Sequence, residues 1–216
     1  MMKIKTTYGH IMNYLLTHVR EIYKSFDGAH DERHFDEVFN AAKEMCEFAG
    51  IGGDDKLCIL IAAAYHDIGR LNGDEGHEKS SAEMFKRDRF MKMWLTPEDI
   101  EFIAQTITEH RSCYKASSLA SLILKDADKK PGINRRRWLE RMVRFNVDHH
   151  GDEGLSVVVE KTKEKIKSII SKPGKAKWWN SELALELYGK KPTFDMPSDS
   201  ELMSLAKEYI EELERV

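Results

Sequence analysis

Apolar and polar positions alternate along this chain with a helical period almost from end to end. Val38, Ala41, Ala42, Met45 and Ala49 fall on one face of one segment, and Ile100, Ile103 and Ile107 on one face of another. The second of these opens on Thr96-Pro97-Glu98-Asp99, an N-cap residue, a first-turn proline and early acids, which predicts a helix start. Asp199 and Glu201 likewise predict the start of a last helix carrying Leu205, Tyr209, Ile210 and Leu213. Val157 to Val159 is the one β-branched cluster, and it continues into a Lys/Glu-rich helical pattern, so no strand is predicted. Glycine and proline gather in joints at Gly50–Gly53, Gly69–Gly76, Pro131–Gly132, Gly151–Gly154, Pro173–Gly174 and Gly189–Pro197. The expected fold class is all-α: a helical domain over residues 1–145, ending near Phe145, and a helical extension over residues 146–216 packed on it.

Composition adds limits. With 41% hydrophobic and 33% charged residues, the 216-residue chain reads as an ordinary soluble globular protein and not as a disordered one. The longest apolar run, Leu57 to Tyr65, is far short of the ~20 residues a membrane-spanning helix needs. The opening MMKIKTTYGHIMNYLL lacks the uninterrupted apolar core of a signal peptide. Cys46, Cys58 and Cys113 form no close pair and read as buried or free thiols in a reducing cytoplasm, which is the expected location. The net charge of −3 hides an asymmetry. Lys129 to Arg144 carries seven basic residues against Glu140 alone, whereas Asp199 to Arg215 is acidic. The basic stretch is either a solvated helix face or a holder of phosphate.

Four segments place metal-competent side chains on apolar faces or at their ends. His34 lies four residues before Val38, and His110 three beyond Ile107. His66 and Asp67 close the longest apolar run, and Asp126 and Asp128 close SLASLILKDAD. Burying an unpaired carboxylate costs several kcal/mol as an order of magnitude, so clustered Asp and His need a compensating partner. A divalent cation supplies it, holding the carboxylate ionised and the imidazole neutral. Nitrogen and oxygen ligands without thiolate suit Fe, Mn, Co, Ni or Zn, with Mg not distinguished, and a carboxylate can bridge two ions.

HDERHFDEVFNAA, AAAYHDIGR and LKDADKK follow one another in an order that resembles the HD-domain metal-dependent phosphohydrolase superfamily, over Ala29 to Lys130. The resemblance implies an HD-type helical bundle and makes His34, His66, Asp67 and Asp128 metal ligands. Asp128 is chosen over Asp126 by its order in the motif, although helical phase brings Asp126 closer to the apolar face. His77 in GHEKSSAEMF and His110 in IAQTITEHR stand where members with paired metals carry extra histidines, which favours two ions over one. The implied activity is cleavage of a phosphomonoester or phosphoanhydride bond by metal-activated water. Its substrate would be a nucleotide or small phosphorylated metabolite. Asp67 would bridge the ions or orient the water, and Arg70, Lys129 and, more weakly, Arg111 would contact phosphate. Arg70 could equally be a helix-terminal cation.

The chain departs from its relatives in continuing with Lys129-Lys130-Pro131-Gly132 after the distal aspartate. It also lacks the GYP segment of cyclic-di-GMP phosphodiesterases and the distal signature of stringent-response hydrolases. The competing readings are a catalytically silent nucleotide-sensing module and a nucleic-acid binder working through Arg135–Arg144. Membrane and nucleic acid are not expected as partners, and homo-oligomerisation is left open. Trp178 and Trp179 could stack on a base or pack the extension on the core.

Overall fold

The computed structural model describes residues 2–170, 178–190 and 194–215, with side chains from residue 7 onward. The helices are, in order, α1 (Met2–Tyr14), α2 (Arg20–Ile22), α3 (Glu32–Phe48), α4 (Gly53–Tyr65), α5 (His77–Arg87), α6 (Arg89–Lys92), α7 (Pro97–Glu109), α8 (Leu119–Lys129), α9 (Arg135–His150), α10 (Leu155–Ile170), α11 (Glu182–Tyr188) and α12 (Asp199–Leu213). Short 3-10 turns occupy Ile68–Asn72, Lys130–Ile133 and Gly151–Glu153. No strand occurs among the described residues, and Val157 to Val159 lies inside α10. The protein is all-α. The expected joint at Pro173–Gly174 lies outside the described residues, as do residues 191–193 of the Gly189–Pro197 joint.

Two compact units make up the chain. The first comprises the residues up to Phe26, Asp31–Lys130 and Trp179–Gly189; the second comprises Asp27–His30, Pro131–Trp178 and the residues from Lys190 on. This differs from the division expected near Phe145. α9 runs through Phe145 without a break, and its stripe of Trp138, Leu139, Val143 and Val147 belongs to the core of the second unit. The break falls instead at Pro131, whose missing N–H and following glycine suit a tight turn.

In the first unit α4 is central. Leu57 to Tyr65 are all buried, because a helix apolar on every side needs neighbours on every side. α3, α7 and α8 supply them, with Phe35, Val38, Met45, Ile103, Ile107, Ile123 and Leu124 buried against it. Each such side chain is worth about 1.5–3 kcal/mol when removed from water. The Thr96 capping box with Asp99 opens α7 as the sequence predicts. Ahead of these, Ile11, Leu15, Val19 and Tyr23 form a buried stripe at intervals of four.

The second unit packs α9, α10 and α12 around Trp138, Val143, Val158, Ile166, Leu202 and Tyr209. Its basic and acidic stretches meet, with Arg135 on Glu201, Arg136 on Glu208 and Arg144 on Glu212. Gly28 is needed where it stands: a Cβ there would lie 2.3 Å from the Tyr209 hydroxyl oxygen. Its backbone N–H donates to Asp148 at 2.7 Å.

Cys46 and Cys58 are buried, Cys113 is exposed, and all three are free thiols. Among the described residues no helix is long and apolar enough to cross a membrane.

Candidate metal centre

The first unit brings the ends of several elements to one place. His34 lies in the first turn of α3, whose N-cap Asp31 accepts a hydrogen bond from the His34 N–H. His66 caps the C-terminus of α4, and Asp67 opens the 3-10 turn that follows. His77 begins α5, His110 caps the end of α7, and Asp128 stands near the end of α8. All six predicted ligands converge here. They form two groups able to hold a metal ion, His34–His66–Asp128 and Asp67–His77–His110, each with ligand atoms within 4.8 Å of one another.

Asp67 faces both groups. Its Oδ2 lies 3.6 Å from His34 Nε2 and 3.4 Å from His66 Nε2, while its Oδ1 lies 3.0 Å from His77 Nε2 and 3.9 Å from His110 Nε2. Asp128 Oδ1 stands 3.3 Å from His34 Nε2.

Three imidazoles are held in one tautomer by the backbone. The Nδ1 atoms of His66, His77 and His110 lie 2.8, 2.8 and 2.6 Å from the carbonyl oxygens of Ala63, Asp74 and Ile107. A carbonyl only accepts, so Nδ1 carries a proton in all three, and in the neutral ring Nε2 presents a lone pair. Arg111 Nη1 stands 3.1 Å from His77 Nδ1, but the carbonyl contact is the shorter and decides where the proton sits. The His77 and His110 Nε2 lone pairs then face each other across 3.4 Å, beside a carboxylate oxygen. Acceptors facing acceptors repel unless a cation lies among them, so this donor set fits a divalent metal.

Charge at the site follows from burial and neighbours. Burial would push the Asp67 carboxyl up, but the charges of His66 and Arg70 and hydrogen bonds from His34 and His66 outweigh it and hold it well below the usual carboxylate range. Asp128 is also held low, burial being outweighed by the His34 hydrogen bond and the charges of His34 and His66. His110 is pushed down to about 4 by burial and by the His66 charge, so it is neutral at physiological pH. His66 is raised, because the Asp67 charge and hydrogen bond, helped by Asp128, overcome its burial.

Asp126 goes elsewhere. It is fully buried and accepts from Asn180 N and Nδ2 and from Ser181 N and Oγ, at 2.6–2.9 Å. It thus holds the start of α11 rather than a metal. Lys129 Nζ donates to Asn180 Oδ1 at 3.2 Å, and Arg70 places Nε 3.1 Å from Asp67 Oδ2 and Nη1 2.5 Å from Asp74. Trp179 is buried, with its Nε1–H on Gly189 O at 2.7 Å, where it closes the segment containing α11. The Trp178 ring lies beside Gly132 in the second unit.

The HD domain family matches residues 32–130. The chain carries an HD domain. All six converging residues lie inside the matched span, and the match ends at Lys130, where the first unit also breaks. No curated protein and no solved structure matches the chain significantly.

The HD domain explains its own glycine. A Cβ on Gly69 would lie 2.2 Å from His77 O and 2.4 Å from Ser81 N, so only glycine lets the turn after Asp67 press on α5. The Gly69 N–H donates to Ser81 Oγ at 2.8 Å, tying the turn after Asp67 to α5, which carries His77.

One supporting residue is absent from the sequence reading. The Tyr23 hydroxyl donates to Ala64 O at 3.0 Å, accepts from Asp67 N at 3.3 Å and lies 3.4 Å from His66 Nδ1. Its spacing of four from Val19 is a signal of burial, but nothing in that spacing points to the histidines.

Proposed function

We propose that the HD domain hydrolyses a phosphomonoester or phosphoanhydride bond in a small phosphorylated substrate, a nucleotide or related metabolite, with two divalent cations. The carrying observation is Asp67, whose two oxygens face two separate groups of histidines. His34, His66 and Asp128 would hold one ion and His77 and His110 the other, with Asp67 between them. When bound, such a pair lowers the pKa of water and offers positive charge to phosphoryl oxygens. Fe, Mn, Co, Ni and Zn all suit the donors.

The remaining work falls to the protein. Asp67, kept ionised by its cationic neighbours, accepts a hydrogen bond from the attacking water and orients it toward phosphorus. Arg70 steadies that carboxylate at 3.1 Å and would share its charge with the phosphoryl group. Lys129 is the proposed second phosphate contact, set beside Asp128 with its ammonium on Asn180. The nucleotide assignment draws no support from Arg135, Arg136 and Arg144, whose charges are met by glutamates of α12.

The test is metal content per chain in protein purified without chelator, with phosphate release from a panel of nucleotides and phosphomonoesters. About two ions per chain, and release abolished in Asp67→Ala, are expected. One ion would reduce the centre to a mononuclear one. No metal after reconstitution, or full turnover in Asp67→Ala, would overturn the reading. Nucleotide binding without turnover would favour a sensing module.

A further inference from the structure

The loop from Arg111 to Ser118 joins α7 to α8 and carries none of the six ligands, yet it is fastened from two sides. Lys125, only 4% exposed, sends its ammonium to Arg111 O at 2.5 Å and Tyr114 O at 2.8 Å. Glu109, 8% exposed, accepts from Ser117 N at 2.8 Å, Ser117 Oγ at 2.9 Å and Gln105 Nε2 at 3.0 Å. Taking an ammonium and a carboxylate out of water is costly, and here both charges are compensated largely by the loop's own polar groups. A surface connection of this length is ordinarily among the most mobile parts of a domain. This one is held by buried charge.

What the fastening presents is Arg111. Its Nη1 stands 3.1 Å from His77 Nδ1 and 3.9 Å from Glu78 Oε2, a buried carboxylate oxygen that makes no hydrogen bond. Tyr114 OH reaches Glu78 Oε1 at 3.4 Å, closing the arrangement from the middle of the loop. The Arg111 side chain is nevertheless 42% exposed. The charge of the buried Glu78 carboxylate therefore holds one part of the guanidinium beside the second group of ligands while the rest is open. A planar fork of N–H donors held in this way matches the oxygens of a phosphoryl group better than a free lysine would.

We propose that residues 111–118 form a pre-ordered recognition rim for the Asp67–His77–His110 group, with Arg111 binding the non-bridging oxygens of the substrate's phosphoryl group and Lys125 acting as the positioning residue that sets it. This rests on the hydrolase reading for its substrate, and it names the contact on the second-ion side of the site that the ligand set leaves open.

The probe is inorganic phosphate, titrated calorimetrically into metal-reconstituted protein. Arg111→Ala should raise the phosphate Kd by about tenfold or more, the usual loss for a hydrogen bond to a charged group, with metal per chain unchanged. Lys125→Met should raise it in the same direction and raise KM more than it lowers kcat on any substrate turned over, since it displaces Arg111 without touching the metal ligands. A phosphate Kd within twofold of wild type in Arg111→Ala overturns the proposal. That variant alters a half-exposed side chain, so it carries the test even if Lys125→Met does not fold. A reconstituted wild type that binds no phosphate overturns both this and the hydrolase reading. Arg111-dependent phosphate binding without hydrolysis of any phosphorylated compound leaves the rim standing and removes only the hydrolase reading.

Discussion

His77 and His110 face each other Nε2 to Nε2 across 3.4 Å, each with its Nδ1 proton given to a backbone carbonyl. With both rings neutral, neither nitrogen has a hydrogen to offer the other. The pair fits a cation lying between the rings, which is where the proposed second ion would sit.

Removing either histidine should cost one ion and spare the other. His77→Ala and His110→Ala are each expected to fall from about two metals per chain to about one, measured by elemental analysis, with the His34–His66–Asp128 group still loaded. Chelation of the wild type should lower its melting temperature, because an ion bound only by the folded state stabilises it by mass action. Equal loss of both ions in both variants would mean that the two groups do not bind separately.

Tyr23→Phe tests the support beneath the site. The change removes a hydroxyl that donates to Ala64 O and accepts from Asp67 N, leaving a buried N–H unsatisfied at a cost of roughly 1–3 kcal/mol. Metal affinity should fall by about tenfold to a hundredfold, the usual effect of losing an outer-sphere partner. Competition with a fluorescent chelator reads the affinity, and thermal unfolding of the metal-free protein reads the stability. Unchanged affinity would confine Tyr23 to packing.

Asp126→Ala should destabilise the first unit while leaving the ligand set intact. Four donors from Asn180 and Ser181 lose their acceptor, and a loss of about 2–4 kcal/mol follows if water reaches only some of them. Denaturant unfolding measures this. Reconstituted metal content should remain near that of the wild type, which would distinguish Asp126 from Asp128.

Arg135 and Glu201 offer a pH test in the second unit. The Arg135 hydrogen bond and charge hold Glu201 below its ordinary value. A depressed carboxyl pKa contributes stability that is present above the unfolded value, about 4.3, and is lost as pH falls through the folded value. Both side chains are more than a third exposed, so solvent screening keeps the coupling below about 1 kcal/mol. A double-mutant cycle with Arg135→Ala and Glu201→Ala should show it at pH 7 in low salt, and show it vanish well below pH 4. Coupling that persists in acid would contradict the charge pairing.

Local rules carried much of this protein. The spacing of Val38, Ala41 and Met45, the Thr96 capping box and the all-apolar run from Leu57 determined which segments are helices and which faces are buried, because those depend on a period of about 3.6 residues and on near neighbours. The same period placed His34 and His110 inward, and the resemblance to HD-domain motifs marked the six candidate ligands. What chain spacing could not decide was partnership across distance. Asp126 and Asp128 are two residues apart on one helix, about 200° around its axis, and phase favoured the one that binds no ligand histidine. Only the return of Asn180 and Ser181, more than fifty residues on, gives Asp126 its partners and leaves Asp128 to His34. The unit boundary at Pro131, the pairing of the basic stretch with α12, Tyr23 beneath His66 and Lys125 beneath the Arg111 loop are of the same kind. Each is a contact between segments whose separate patterns are complete without it, and tertiary packing alone chooses among such contacts.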